Sequence, residues 1–247
     1  MRAPGRVYAS DAMVRLAFDE NAAEAMGLSK GCVTAMIHCG SRGFGYQVRE
    51  DYLKAMRGAA NYAFANRQVL MAKTERALQH ALRISPRELG MELVYDVPHN
   101  IAKMERHGGR MLCVHRKGAT RAFPPGHESL PARYRGTGRP VLAPGDMGRC
   151  SFVLVGTQTA MEQTFGTVCY GAGRMMSRTA AMKHGSMADL RRTLDEAGVT
   201  FMAHGKGTVL EEAPWAYKDV SEVVEVCHQA GIARKVARPR PMGVIKG

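Results

Sequence analysis

The chain has 247 residues, 45% hydrophobic and 23% charged, with 35 basic against 22 acidic side chains and a formal net charge of +13. No apolar run is long enough to span a bilayer, and Met1 to Ser10 lacks the apolar core of a signal peptide, so a cytoplasmic, non-membrane location is expected. The excess positive charge attracts polyanions through counterion release, which favours a nucleic-acid partner over a surface that is basic only for solubility.

Residues 11–26 place apolar and charged positions at helical spacing, with Gly27 as the stop, and predict a helix. Val33 to Ile37 reads as a short buried strand running into His38-Cys39-Gly40-Ser41-Arg42-Gly43. A long helix follows over residues 47–82, with Gly58 as a candidate break and Tyr62, Phe64, Val69 and Leu70 among its apolar positions. Met91 to Val97 reads as a second strand ending in Pro98-His99-Asn100, and Met111 to His115 as a third ending in Arg116-Lys117-Gly118. Residues 118–140 are loop-like, with Pro124-Pro125-Gly126 and Gly136-Thr137-Gly138 as turns. Val141-Leu142-Ala143 and Ser151 to Gly156 read as strands on either side of Pro144-Gly145-Asp146-Met147-Gly148. Helical patterns cover 174–184, 186–197 and 219–231. With no repeat and no linker, one α+β domain over residues 1–247, or one with a small subdomain, is expected.

Three predicted strands end in polar clusters, where binding groups from distant sequence positions converge at a sheet edge. His38 and His99 are placed to share one metal ion. Imidazole suits zinc, copper, iron or nickel, and manganese when oxygen ligands join it, so the histidines do not choose the ion. The competing reading is that each His only hydrogen-bonds a loop. Three glycine-rich turns, Gly40-Ser41-Arg42-Gly43, Pro144-Gly145-Asp146-Met147-Gly148 and Gly171-Ala172-Gly173-Arg174, let backbone amides approach an anion closely. The last precedes a predicted helix, whose N-terminus favours phosphate. No P-loop or GxGxxG fingerprint is present. The six cysteines form no CxxC pair and read as reduced, mostly buried thiols.

Longer segments carry a resemblance. Ile37-His38-Cys39-Gly40-Ser41-Arg42-Gly43-Phe44-Gly45, Tyr95-Asp96-Val97-Pro98-His99-Asn100-Ile101-Ala102 and Val114-His115-Arg116-Lys117-Gly118-Ala119-Thr120-Arg121-Ala122 resemble the RtcB family. So do the Pro-Gly-Asp-Met turn, Gly171 to Arg178, Ala216-Tyr217-Lys218-Asp219 and the final Gly243-Val244-Ile245-Lys246-Gly247, in family order over nearly the whole chain. The resemblance implies a mixed-sheet α+β domain with helices around a central cleft. It implies a GTP- and manganese (Mn2+)-dependent RNA ligase of tRNA splicing and RNA repair, joining 3′-phosphate or 2′,3′-cyclic phosphate ends to 5′-hydroxyl ends. Such an enzyme opens the cyclic phosphate, guanylylates a histidine, passes GMP to the 3′-phosphate and lets the 5′-hydroxyl displace it.

By motif, His38 and His99 resemble two manganese ligands. His99, Asn100, Pro144, Gly145, Asp146, Met147, Ser151, Gly171, Ala172, Gly173 and Lys246 resemble GTP contacts, and Tyr217 the aromatic that stacks on guanine. Arg42 and Arg174 are expected to face RNA phosphates, as a guanidinium fork suits. Two departures stand out. Tyr170 occupies the position of the guanylylated histidine, and a phenol, with a reference pKa of about 10, is a poor nucleophile unless activated; Tyr46 likewise stands where the family often has His. The family's upstream Asp, bridging Cys and Asn-His pair lie outside this sequence. Three readings therefore stay open: the C-terminal portion of a ligase, a catalytically silent RNA- or nucleotide-binding remnant, and one subunit of a split ligase completed by an upstream half in trans. An archease-type activator is implied as a partner.

Overall fold

The computed structural model describes residues 8–39, 53–203 and 209–246. Its centre is a six-stranded mixed sheet built on one long strand, β10 (Ala233–Lys246). Along one edge β10 pairs antiparallel with β1 (Tyr8–Ala17), which pairs with β2 (Val33–His38). Along the other edge its first residues pair with β7 (Phe152–Gly156) and its last with β9 (Thr200–Ala203), the latter in parallel. The short strand β6 (Pro140–Ala143) completes the order against β7. The α+β class and the mixed sheet are thus as expected.

Two expectations are corrected here. Residues 11–26 are not one helix, because Ala12 and Val14 alternate with outward positions and are buried at 4% and 1% in a strand held on both sides. Only α1 (Glu20–Ala25) is helical, capped by Asp19, whose Oδ1 accepts from the Ala22 amide at 3.0 Å, and Gly27 at φ +68 follows its end. Met91 to Val97 is not a strand either. Among the described residues it has no ladder partner, and the Val94 carbonyl instead accepts a hydrogen bond from the Tyr134 hydroxyl.

β10 carries Pro239 and Pro241, which cannot donate to a ladder, and its β7 pairing stops at Ala237 while the β9 pairing begins at Gly243. The prolines lie in that gap, with the Pro239 carbonyl accepting from the Ser151 amide at 3.0 Å. β7 is buried along its whole length. Phe152 and Leu154 pack under α7 (Val220–Gln229) with Val220, Val224 and Cys227, while Val153 and Val155 face α1 with Val14 and Met26. Burial on both faces places this strand at the middle of the core.

The helix α2 runs unbroken over Leu53–Leu82, with Gly58 inside it, and the expected start at residues 47–52 lies outside the described residues. A four-residue helix, α3 (Pro86–Leu89), opens with a capping box between Ser85 and Glu88. The hairpin of β3 (Asn100–His107) and β4 (Arg110–Lys117) turns on Gly108 and Gly109, both at positive φ, as a two-residue hairpin loop requires. Beyond it, β5 (Ala119–Arg121) pairs with β8 (Thr167–Cys169), which follows helix α4 (Gln158–Thr164). Helices α5 (Arg178–His184) and α6 (Met187–Glu196) precede β9. Among the described residues no helix is long and apolar enough to cross a membrane.

Candidate functional site

Three separated segments bring their ends together. His38 closes β2, His99 stands immediately before β3, and Tyr170 immediately follows β8. The His38 and His99 ring centroids lie 5.3 Å apart. Tyr170 stacks on His99 at 3.9 Å and 6°, and meets His38 at 5.8 Å. Local pairing explains the meeting. Ala119 faces Cys169 across the β5–β8 ladder, its amide donates to the His99 carbonyl at 3.4 Å, and the Asn100 side chain accepts from the Gly118 amide at 3.0 Å. His99 therefore directly precedes a strand; the expectation that it ends one is corrected.

Helix α2 buttresses both histidine segments. Arg67 donates to Asp96 at 2.6 Å and to the Cys39 carbonyl at 3.4 Å, and the Asn66 amide donates to the Cys39 sulfur at 3.5 Å. Neither Arg67 nor Asn66 had a sequence signal, because each partner lies nearly thirty residues away. Burial, then the neighbouring His38, Arg67 and Lys117, press the His99 pKa down to about 4, so its imidazole is neutral at pH 7 and keeps a lone pair. Burial pushes the Tyr170 phenol well above its ordinary range, against the opposing charge of Arg67. It is a protonated phenol at neutral pH.

Two imidazoles at this separation fit as part of a divalent-metal site. Among the described residues no three His, Cys, Asp or Glu side chains gather as a complete set. Arg42 and Tyr46, with the Gly40 to Gly43 turn, lie outside the described residues. Lys246 falls into line with the cluster by register. Tyr8 faces both His38 and Lys246 across the ladders, so the two residues occupy one row of the sheet, separated by a single strand.

A second group of loops adjoins Tyr170. The Ala172 amide donates to the Pro144 carbonyl at 3.0 Å, and a Cβ on Gly171 would lie 2.9 Å from that oxygen. A Cβ on Gly145 would lie 2.1 Å from the Cys150 carbonyl, while the Gly145 amide donates to the Ser151 hydroxyl at 3.3 Å. These glycines serve close backbone approach between loops, whereas Gly173 sits in open space at φ +76. The Asp146 carboxylate accepts from the Gly148 and Arg149 amides at 2.9 and 3.0 Å and from the Arg149 guanidinium, and Met147 is buried against α6.

The Gly171 to Arg174 turn does not abut a helix, contrary to expectation; α5 starts at Arg178 behind its own cap, Ser177. Arg174 instead bridges backbone with Tyr217 and spreads its guanidinium over the Met176 carbonyl at 3.1 Å, the Tyr217 hydroxyl at 3.1 Å and the Glu211 carbonyl at 2.6 Å. Tyr217 donates to Glu212, and burial followed by this bond raises its pKa well above the ordinary value. Tyr217 also lines an open cleft of about 740 Å³ with Trp215, Arg149, Arg238 and Arg240. The cleft includes neither histidine nor Tyr170.

The family model described as "tRNA-splicing ligase RtcB" matches residues 12–57 and 49–247. The chain is 45% identical to tRNA-splicing ligase RtcB of Archaeoglobus fulgidus, over 93% of this chain and 55% of that protein. It is 46% identical to the RtcB of Pyrococcus furiosus, covering 93% and 28% of the two chains. Identity to the Methanococcus maripaludis protein is 42%, over 93% and 56%. The chain thus spans about half, or less, of the length of these curated relatives. With the motifs, the meeting of His38 with His99 and a family match running almost end to end, the chain belongs to the RtcB family of tRNA-splicing ligases.

Proposed function

We propose that this chain carries the nucleotide-facing part of a GTP- and manganese-dependent RNA ligase that joins 3′-phosphate or 2′,3′-cyclic phosphate ends to 5′-hydroxyl ends. The observation that carries this reading is the convergence of His38, His99 and Tyr170 beside the Pro144 to Met147 and Gly171 to Gly173 loops. His38 and His99 would hold the metal ion, with further ligands coming from residues outside those described. A bound divalent ion supplies Lewis-acid polarisation of phosphoryl oxygens. Arg67 and Asp96 fix the approach of both histidine segments, the open Gly173 turn offers room for a phosphate, Tyr217 would stack on the guanine, and Lys246 would be a further GTP contact.

Tyr170 favours a second reading. A partly buried, protonated phenol in place of an imidazole suits binding of nucleotide and RNA ends without guanylylation. One experiment separates the two. The purified chain is given Mn2+, α-labelled GTP and an RNA pair with 3′-phosphate and 5′-hydroxyl ends. Joined RNA, lost on His99→Ala, supports the ligase; GTP and RNA binding with neither joined product nor covalent label supports the binding module. Failure to bind either ligand overturns both.

A further inference from the structure

Cys169 and Cys227 stand apart from the chemistry above. Cys169 ends β8, directly before Tyr170, and Cys227 lies in α7, with the two sulfurs 3.5 Å apart. Both are free thiols. Their neighbours are apolar, Val168, Ala172, Val224 and Ala233, so no charged group competes for either sulfur within this core cluster.

We propose that Cys169 and Cys227 form a reversible, peroxide-sensitive dithiol that closes to a disulfide and ties α7 to the residue preceding Tyr170. A disulfide sulfur pair sits about 2.05 Å apart, so the thiols have to close by about 1.5 Å from their present contact. The pair bridges a strand end and a helix, two separately anchored elements that approach by a small shift rather than by unfolding.

The chemistry balances with hydrogen peroxide as the oxidant. The Cys227 thiolate attacks one peroxide oxygen; the S–O bond forms, the O–O bond breaks, and the departing hydroxide takes up a proton to leave as water. Cys169 then attacks the sulfenic sulfur; the S–S bond forms, the S–O bond breaks, and a second water leaves with the Cys169 proton. Two thiols lose two electrons in all, and peroxide gains them. Cys227 is the better first nucleophile, because a hydrogen bond with Cys169 outweighs burial and brings its pKa down to about 7, while that bond and burial raise Cys169.

Closure acts on the site through the chain. Cys169 is paired with Ala119, whose amide holds the His99 carbonyl, and Tyr170 follows it onto the His99 ring. Drawing Cys169 toward α7 therefore moves the floor of the histidine cluster. Cys113, exposed on β4, serves as an internal control because it is open to oxidant.

The test is peptide mapping of the native chain before and after hydrogen peroxide, with alkylation of the remaining thiols and a reductant-treated control. The expected result is a linked peptide pair containing Cys169 and Cys227, lighter by two hydrogens, with loss of both thiols and full recovery on reduction. Cys227→Ala and Cys169→Ala should each abolish the linked pair, and retained thermal unfolding transitions would show that these variants fold. Oxidation at Cys113 with no Cys169–Cys227 link in the native chain overturns the proposal. So does a link that appears only in denaturant.

Discussion

The Tyr170 phenol lies flat on the His99 imidazole, ring centroids 3.9 Å apart and planes 6° from parallel. The residue at the position that the family resemblance gives to the guanylylated histidine is thus packed against a proposed metal ligand. Its ring is part of the wall that positions His99. Tyr170→Phe keeps the ring and should leave unfolding free energy within about 1 kcal/mol, whereas Tyr170→Ala opens a cavity and should cost about 3–5 kcal/mol. Urea unfolding followed by circular dichroism measures both. An equal loss in the two variants would show that the hydroxyl, and not the ring, holds the site.

If the binding-module reading holds, incubation with labelled GTP and Mn2+ should leave no covalent GMP on the unmodified chain, since a partly buried phenol kept protonated is a weak nucleophile. Tyr170→His should not by itself produce ligation, because His38 and His99 gather with no third His, Cys, Asp or Glu among the described residues. Ligation by that single variant would show that the metal is held by other residues.

Two glycines should respond in opposite directions to the same added methyl group. Gly58 lies within α2, with nothing within 4 Å of an added Cβ and no positive φ. Gly58→Ala removes unfolded-state freedom and should stabilise the chain by about 0.4–1 kcal/mol. At Gly145 the new Cβ would meet the Cys150 carbonyl at 2.1 Å and Val220 at 2.8 Å. Gly145→Ala forces apart the two sides of the β6–β7 connection and should cost about 1–3 kcal/mol or more. Paired melting curves decide the matter; a neutral Gly145→Ala would mean that the loop stands further from Cys150.

Gly58 also illustrates where the sequence was legible and where it was not. A glycine in a helical pattern carries a small propensity cost, and thirty residues of otherwise consistent spacing outweigh it. β2, β7, α6 and α7 were readable because their apolar runs or periods are local. β1 carries no local signal of its own, since Ala12 and Val14 satisfy a period of two only in the presence of β2 and β10. β10 has no strand pattern in sequence because prolines and basic residues dominate it, and its prolines are tolerated only in the gap between two partner strands. For the site, strand-end polar clusters pointed to His38 and His99. The Arg67–Asp96 pair that braces them is a tertiary contact with no local pattern.

Acid should expose a second buried pair. Arg116, with a fully buried side chain, donates twice to Glu105, at 2.9 and 2.7 Å, and also to the Phe165 carbonyl and the Thr167 hydroxyl. Burial alone would raise the Glu105 pKa, but the bonds and charge of Arg116, with His107 and Arg121, bring it below the ordinary value of 4.5. A depressed folded pKa gives stability that is complete above the unfolded value and is lost as pH falls through the folded one. Glu105→Gln should therefore cost about 3 kcal/mol at pH 7, where it strands a buried guanidinium. The gap between variant and parent should narrow below about pH 4.5. A gap that stayed constant from pH 7 to pH 3 would show that the carboxylate charge contributes nothing.

Electrostatics should also govern RNA binding. Lys117 is exposed, faces Asn100 across the β3–β4 ladder, and lies close enough to His99 to lower its pKa. It is therefore a cation at the rim of the histidine cluster. Each phosphate neutralised on a single strand contributes a slope of about −0.7 in log K against log salt. The parent chain should bind a short 3′-phosphate RNA with affinity that falls steeply between low and physiological salt. Lys117→Ala should weaken binding similarly for unrelated sequences and flatten the slope by about one such contact. Fluorescence anisotropy at several salt concentrations measures both quantities. An unchanged slope with weaker binding would assign Lys117 to holding the site together, with no direct contact to RNA.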